Sequence, residues 1–182
     1  MKIFVEEFLS LESVSVADAT ETYAIIDSQR EYLKKWLPWV DYNTNVDDSA
    51  TNIKSCMQKN DAGTSLNLSI KYKGKVIGRI GLHYIDKSNN ISSIGYWLSK
   101  KEVGKGIMTK AVNVLCKHCF EELKMNRIEI ACATDNHKSK AIPERLGFKL
   151  EGVMRERELV NGEYIDHCIY SKLAQQSNSM KS

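Results

Sequence analysis

The chain has 182 residues, enough for one domain and hardly two, and its 42% hydrophobic and 27% charged residues are ordinary for a globular protein. A formal net charge of +3 is too mild to argue for direct nucleic-acid binding, and no apolar run approaches the ~18 residues of a membrane-spanning helix. The N-terminus turns acidic at Glu6-Glu7, too soon for a signal peptide, and the cysteines at 56, 116, 119, 132 and 168 lack framework spacing, so reduced thiols in a cytoplasmic protein are expected.

Residues 2–9 have the composition of a first strand. From Val16 to about Arg30 the spacing is helical, with Ala19, Tyr23, Ile26 and Arg30 on one side. A short helix is expected over Glu31–Leu37, ended by Pro38. Asp47 and Asp48 are candidate caps for a helix over 49–59, with Ile53, Cys56 and Met57 inward. After Gly63 the period changes to two. Leu66, Leu68 and Ile70 mark one strand, Val76–Tyr84 the next after a Lys73-Gly74 turn, and Ile91–Leu98 a third after Asn89-Asn90.

Helical spacing returns at Ile107, Met108, Ala111, Val112, Leu115, Cys119 and Leu123. Arg127–Ala133 alternates as a strand, Ser139–Leu146 reads as a short helix, and Phe148–Leu159 and Tyr164–Leu173 are strands joined at Asn161-Gly162. The expected order is β-α-α-α-β-β-β-α-β-α-β-β. This is an α+β fold with a mixed, mostly antiparallel sheet of about seven strands and helices on both faces. Residues 1–173 are expected to form a single domain and 174–182 a polar, frayed tail.

Chemistry concentrates where the third meander strand runs into the long helix, Trp97-Leu98-Ser99-Lys100-Lys101-Glu102-Val103-Gly104-Lys105-Gly106-Ile107-Met108-Thr109. Two glycines allow close backbone approach. The first amides of the helix lack internal partners, and the helix dipole is positive there. Together these suit an anion such as a pyrophosphate, with Lys100, Lys101 and Lys105 adding charge; a plain tight turn has the same pattern. The loop is neither a Walker A loop nor a Rossmann turn. The Gly-Lys-Ser/Thr ending is missing, Thr109 stands where a third glycine would be, and the preceding strand comes from a meander.

The stretch resembles the acetyl-CoA loop of the GNAT superfamily, Gln/Arg-x-x-Gly-x-Gly/Ala, with Lys101 at the first position. Asn136-His137-Lys138-Ser139 and Leu146-Gly147-Phe148 resemble the family's Asn-x-x-Ser and Gly-Phe motif. Glu151-Gly152, Glu158, the segment Leu159–His167 and Trp36-Leu37-Pro38-Trp39 resemble the RimJ/RimL branch, which acetylates ribosomal-protein N-termini. The resemblance spans about residues 5–173.

It implies direct transfer of an acetyl group from acetyl-CoA to an amine in a ternary complex, with no metal. The strand before the loop would pair with pantetheine through Trp97, Leu98 and Ser99, with an amide near Leu98 as oxyanion donor. The amides of Gly104, Lys105, Gly106, Ile107, Met108 and Thr109 would cradle the pyrophosphate, with Val103 a further cofactor contact. Many family members place a tyrosine by the departing thiolate, but Pro143 occupies that place here. In the RimL-like pattern that the chain resembles, the thiolate role falls to the serine of Asn-x-x-Ser, here Ser139, with Asn136 a pantetheine or turn ligand; both residues also suit helix capping. Glu158 matches the branch's base, although in Arg155-Glu156-Arg157-Glu158 it could equally be an exposed, arginine-paired carboxylate. Trp36, Trp39 and Tyr42 are read either as core packing or a lid over the acceptor channel or as a wall that binds a peptide acceptor; Tyr84, His83, His137 and His167 are further candidates to line the acceptor site, and Trp36, Trp39 and Tyr84 are taken as the substrate contacts.

Cys116-Lys117-His118-Cys119 lies inside the amphipathic helix and has no second pair at zinc spacing, so it is read as packing. The expected acceptor is a protein N-terminus, ribosomal by analogy. A small amine (a polyamine, amino sugar or drug) is the alternative, a polyamine calling for an acidic groove to which Asp41, Asp47, Asp48 and Glu158 could contribute. A non-catalytic acyl-CoA module is a third reading. The resemblance also allows a homodimer.

Overall fold

A computed structural model describes residues 1–178. It is one eight-stranded sheet in the order β1-β2-β3-β4-β5-β6-β8-β7. The strands are β1 Lys2–Glu6, β2 Leu9–Ser13, β3 Leu66–Tyr72, β4 Lys75–Asp86, β5 Ile91–Leu98, β6 Arg127–Ala133, β7 Lys149–Val160 and β8 Glu163–Leu173. All neighbours are antiparallel except β5 and β6. The helices are α1 Ala19–Ser28, α2 Arg30–Lys34, α3 Val46–Asp61, α4 Ile107–Glu121, α5 His137–Arg145 and the single turn α6 Ala174–Asn178.

The sheet has one strand more than expected. Residues 2–9 do not form one strand, because Phe8 takes a left-handed φ of 64° and folds the chain back. Leu9 and Leu11 then face the core from a second strand. The helix expected from Val16 to Arg30 is also divided. Val16–Asp18 form a 3-10 turn, and at Gln29 the backbone leaves helical geometry (φ −134°, ψ 24°). The start of α1 is pinned to β3 by a buried carboxylate. Asp18 accepts from Ser69 Oγ at 2.9 Å and from Lys71 Nζ at 2.8 Å.

α3 starts earlier than its acidic pair suggested. Asn45 is the cap: its side chain accepts from the Asp48 amide, while the Asp48 carboxylate accepts from the Asn45 amide, closing a capping box. Ile53 is buried as expected, but Cys56 is only half-buried and Met57 is exposed. At the other end, the tail expected to fray begins with α6, and residues 179–182 lie outside the described residues.

α4 packs on one face of the sheet. Its Ile107, Met108, Ala111, Val112 and Leu115 form a continuous core with Leu68, Ile80, Leu82 and Ile94 of the strands. α1, α2 and α3 lie on the opposite face over smaller clusters, one around Ile53 and one around Ile26, Leu33 and Val40. Cys116 and Cys119 point into the α4 core, and all five cysteines are free thiols.

Along β7 the register with β8 slips. Met154 faces His167 and Glu158 faces Ile165, so Arg155, Glu156 and Arg157 stand opposite Asp166 alone. Glu156 takes a left-handed φ of 48°, and its amide donates to Asp166 Oδ1 at 2.8 Å. Such a bulge bends a strand and re-aims its side chains.

Leu115 is wholly buried at the centre of the α4 core. Leu115→Ala is expected to lower unfolding stability by about 2–5 kcal/mol, read by urea titration, with an unchanged denaturant slope. A loss under about 1 kcal/mol would mean that α4 is not seated on the sheet in this way.

Candidate active site

β5 and β6 run side by side only briefly. Ile91, Ser92 and Ser93 pair with Arg127, Ile128 and Glu129, and the ladder then stops, although β5 continues to Leu98 and β6 to Ala133. β4 still holds the other edge of β5 as far as Leu98. The parted strands open into a cavity of about 1040 Å³.

The N-terminus of α4 stands at one end of this cavity. Gly106 caps it with φ 75°, and Gly104 has φ 87°; left-handed geometry of this kind favours glycine at both positions. Gly104, Gly106, Ile107, Met108 and Thr109 all line the cavity. The first turn of α4 carries no acidic side chain, so its amides and dipole face the cavity uncancelled.

In the middle of the cavity α5 contributes its first turn. Asn136 caps it, accepting from the Ser139 amide at 3.2 Å. Ser139 Oγ donates to the Tyr96 hydroxyl at 3.2 Å, and Tyr96 donates to the Ser139 carbonyl at the same distance. Burial pushes the Tyr96 phenol far up, so it stays protonated and works as a hydrogen-bonding group. Cys132 also lines the cavity, its thiol pushed up to about 11 by burial, which removes it as a nucleophile near neutrality. Pro143 sits inside α5, where no tyrosine is available.

The far end of the cavity is made by β4, β7 and β8. The β7 bulge puts Arg157 and Glu158 on the cavity wall. Glu158 is partnered by histidine rather than by arginine: His167 Nε2 lies 3.3 Å from Glu158 Oε2. The contact does not align as a hydrogen bond and leaves Nε2 buried without one. His83 faces the same space across Gly95, where a Cβ would come within 1.6 Å of His83 Nε2. Burial holds both imidazoles below the ordinary histidine value, with Glu158 pulling the other way. The remaining wall is aromatic, with Trp36, Trp39, Trp97 and Tyr84 lining it and the Trp39 and Trp97 rings 6.2 Å apart at 51°.

Most residues singled out from the sequence therefore meet in one cavity: Ser139, Glu158, Trp97, Leu98, Val103, Gly104, Gly106, Ile107, Met108, Thr109, Asn136, Trp36, Trp39 and Tyr84. Ser99 and Lys105 do not line it. The Ser99 amide donates to Ile77 O at 2.8 Å and its hydroxyl meets Gln29, while Lys105 pairs with Glu102 at 2.9 Å. Tyr42 and His137 do not line it either, nor do Asp41, Asp47 and Asp48. Tyr96 was not singled out from the sequence, where it looks like strand filler ahead of Trp97-Leu98. Among the described residues no group of three metal-binding side chains is present, and no helix is long and apolar enough to cross a membrane.

A family model described as Acetyltransferase (GNAT) domain matches residues 9–149. The putative ribosomal N-acetyltransferase YdaF of Bacillus subtilis (strain 168) is 35% identical over 170 residues, 93% of this chain and 93% of that protein. The microcin C7 self-immunity acetyltransferase MccE, solved with acetyl-CoA and AMP, is 36% identical with TM-score 0.89, over 93% of this chain and 94% of that one. The ribosomal L7/L12 alpha-N-protein acetyltransferase RimL, solved with coenzyme A, is 25% identical with TM-score 0.92, over 95% and 98% of the two chains.

The two depressed histidines carry a pH dependence. Because the folded-state values lie below 6.5, the unfolded chain binds more protons in the window just under it, so their contribution to stability is present above pH 6.5 and lost as pH falls through that window. A His83→Gln/His167→Gln double variant is expected to show a smaller drop in melting temperature than the parent between about pH 7.5 and 5.5, a range that brackets the ordinary histidine value. Equal drops, measured by calorimetry, would remove the histidines from the account.

Proposed function

The chain belongs to the GNAT acetyltransferase family of acyltransferases, and we propose that it acetylates the α-amine of a protein N-terminus, drawing the acetyl group from acetyl-CoA. A ribosomal protein is the nearest model for the acceptor, since YdaF and RimL carry that description. In this reading residues 1–173 act as a single catalytic domain. The observation that carries the reading is the cavity itself, with free helix amides at one end and Glu158 beside two neutral imidazoles at the other.

The residues present fit acetyl-CoA. The pyrophosphate would rest on the amides of Gly104 to Thr109 and pantetheine would lie along the unpaired edge of β5 at Trp97 and Leu98, near Asn136. When bound, acetyl-CoA supplies an activated thioester carbonyl. Glu158 takes the proton that an ammonium acceptor must lose before its nitrogen can attack, directly or through water. The backbone amide near Leu98 would donate to the oxygen on which negative charge develops. The Ser139 hydroxyl, turning its proton from Tyr96, would donate a hydrogen bond to the departing sulfur.

A polyamine acceptor gains no support, because the cavity lacks the acidic groove it would need; Glu158 and the lysine-paired Glu102 are its only lining carboxylates among the described residues. A small acceptor carrying a flat ring is a second reading. It is favoured by the Trp39–Trp97 wall and by the AMP solved with MccE.

Two measurements test the proposal. Saturating coenzyme A at about 100 times its Kd is expected to stabilise the fold by roughly 2.7 kcal/mol, seen as a raised melting temperature; no shift would reject the cofactor assignment. Glu158→Gln is expected to lower kcat on an N-terminal peptide by about 100-fold or more while acetyl-CoA affinity stays near wild type. Unchanged turnover would take Glu158 out of the chemistry.

A further inference from the structure

A second cavity of about 270 Å³ adjoins the first. The two share Leu37, Trp39, His83, Gly95, Tyr96 and Trp97 as a common wall. β4 and β5 form the floor of the smaller chamber, and α1, α3 and the turn Pro38–Tyr42 form its roof.

Its polar lining is one-sided. Arg79 stands on β4 opposite Trp97 of β5. One guanidinium nitrogen donates to Asn52 Oδ1 at 2.8 Å, and the other, Nη2, is buried with no hydrogen-bond partner. Thr22 on α1 is only 3% exposed, and its hydroxyl is likewise buried without a partner. Lys59, Asn43, Ser49 and Asn67 complete the polar wall. No aspartate or glutamate lines the chamber, and Arg79 makes no ion pair among the described residues.

A guanidinium nitrogen and a hydroxyl buried without partners cost free energy, and an arginine never relieves that cost by losing its proton. A ligand that brings the opposite charge would relieve both groups at once. A guanidinium nitrogen without a partner suits a carboxylate oxygen, and the Thr22 hydroxyl on the same chamber's lining offers a second donor. Accepting the larger cavity as the site of amine acetylation, we infer that this chamber binds a carboxylate carried by the acceptor close to its reacting amine. The source is either the acidic side chain of a residue next to the N-terminus or the α-carboxylate of a free amino acid.

Matched acceptors decide it: Ser-Glu against Ser-Gln peptides, Ala-Asp against Ala-Asn peptides, and L-methionine against L-methioninamide. The wild-type enzyme is expected to favour the carboxylate member of at least one pair by about tenfold or more in kcat/KM, the effect of one charge-assisted hydrogen-bond pair. Preference within the peptides marks an acidic side chain, and preference for methionine marks an α-carboxylate. Arg79→Gln should bring the ratio near one, and Arg79→Lys should keep part of it. A wild-type ratio near one in all pairs, or an undiminished ratio in Arg79→Gln, overturns the assignment. Should Arg79→Gln not fold, the wild-type and Arg79→Lys ratios decide alone.

Calorimetric binding of the acetylated products to the coenzyme A-loaded enzyme reads the chamber without catalysis. If no acceptor is turned over, the acetylation reading falls on its own. Failure of the carboxylate product to bind at least tenfold more tightly than its amide then overturns the chamber assignment separately.

Discussion

Everything in the site depends on a short parallel ladder. β5 and β6 are held together for three residue pairs and then separate, while each remains paired on its outer side. The separation is stabilised from both faces of the sheet. Ile94 and Leu98 are locked into the α4 core, and Trp97 packs against the cluster of Ile26, Leu33 and Val40. β5 thus cannot lean back toward β6 without unpacking one core or the other. The gap leaves backbone hydrogen-bonding groups free, which is costly unless a ligand or water takes them up. Because α4 begins just beyond the end of β5, the same departure aims its first amides into the opening.

The electrostatics divide along that opening. At the α4 end the charge is positive, diffuse and made by backbone, as suits a pyrophosphate of any orientation. At the β7–β8 end it is made by side chains and tuned by burial. His83 and His167 are held below the ordinary histidine value by burial, and Glu158 lies beside them on the same wall. Between them lie Tyr96, Ser139 and Cys132, which burial keeps from ionising or which carry no charge. A site arranged in this way can hold an anion, accept a proton and return one without any two of these tasks competing for a group.

The α4 end of the cavity was legible in the sequence because it is local. Gly104, Gly106 and the helical spacing of Ile107 to Leu123 lie in one continuous segment, and Asn136 with Ser139 form a capping pattern visible by eye. The β7–β8 end was not, because it is assembled from separate strands. His83 and His167 appeared as scattered residues, and only the β7 bulge decides that Glu158 meets His167 rather than an arginine. Tyr96 gave no signal, since its value lies in a contact with Ser139 across the fold. The missing strand has a related cause. The turn between β1 and β2 is made by Phe8 in a left-handed conformation, without the glycine or asparagine that would have announced it. The α3 cap was misplaced by two competing acidic residues, of which Asp48 serves as the third residue of the capping box.

The slip in β7 has a meaning beyond the side chain it aims. β7 is a terminal strand of the sheet, twelve residues long and exposed along nearly its whole length, with Leu150, Val153, Met154 and Leu159 open to solvent. A straight strand of that kind is a template for another chain to extend, the first step toward aggregation. Arg155, Glu156 and Arg157 interrupt it with charge, a left-handed residue and a break in the hydrogen-bonding rhythm. A substitution that straightened the strand would thus turn Glu158 out of the cavity wall and expose a longer template for pairing, so the cavity's lining and the guarding of this edge rest on the same irregularity.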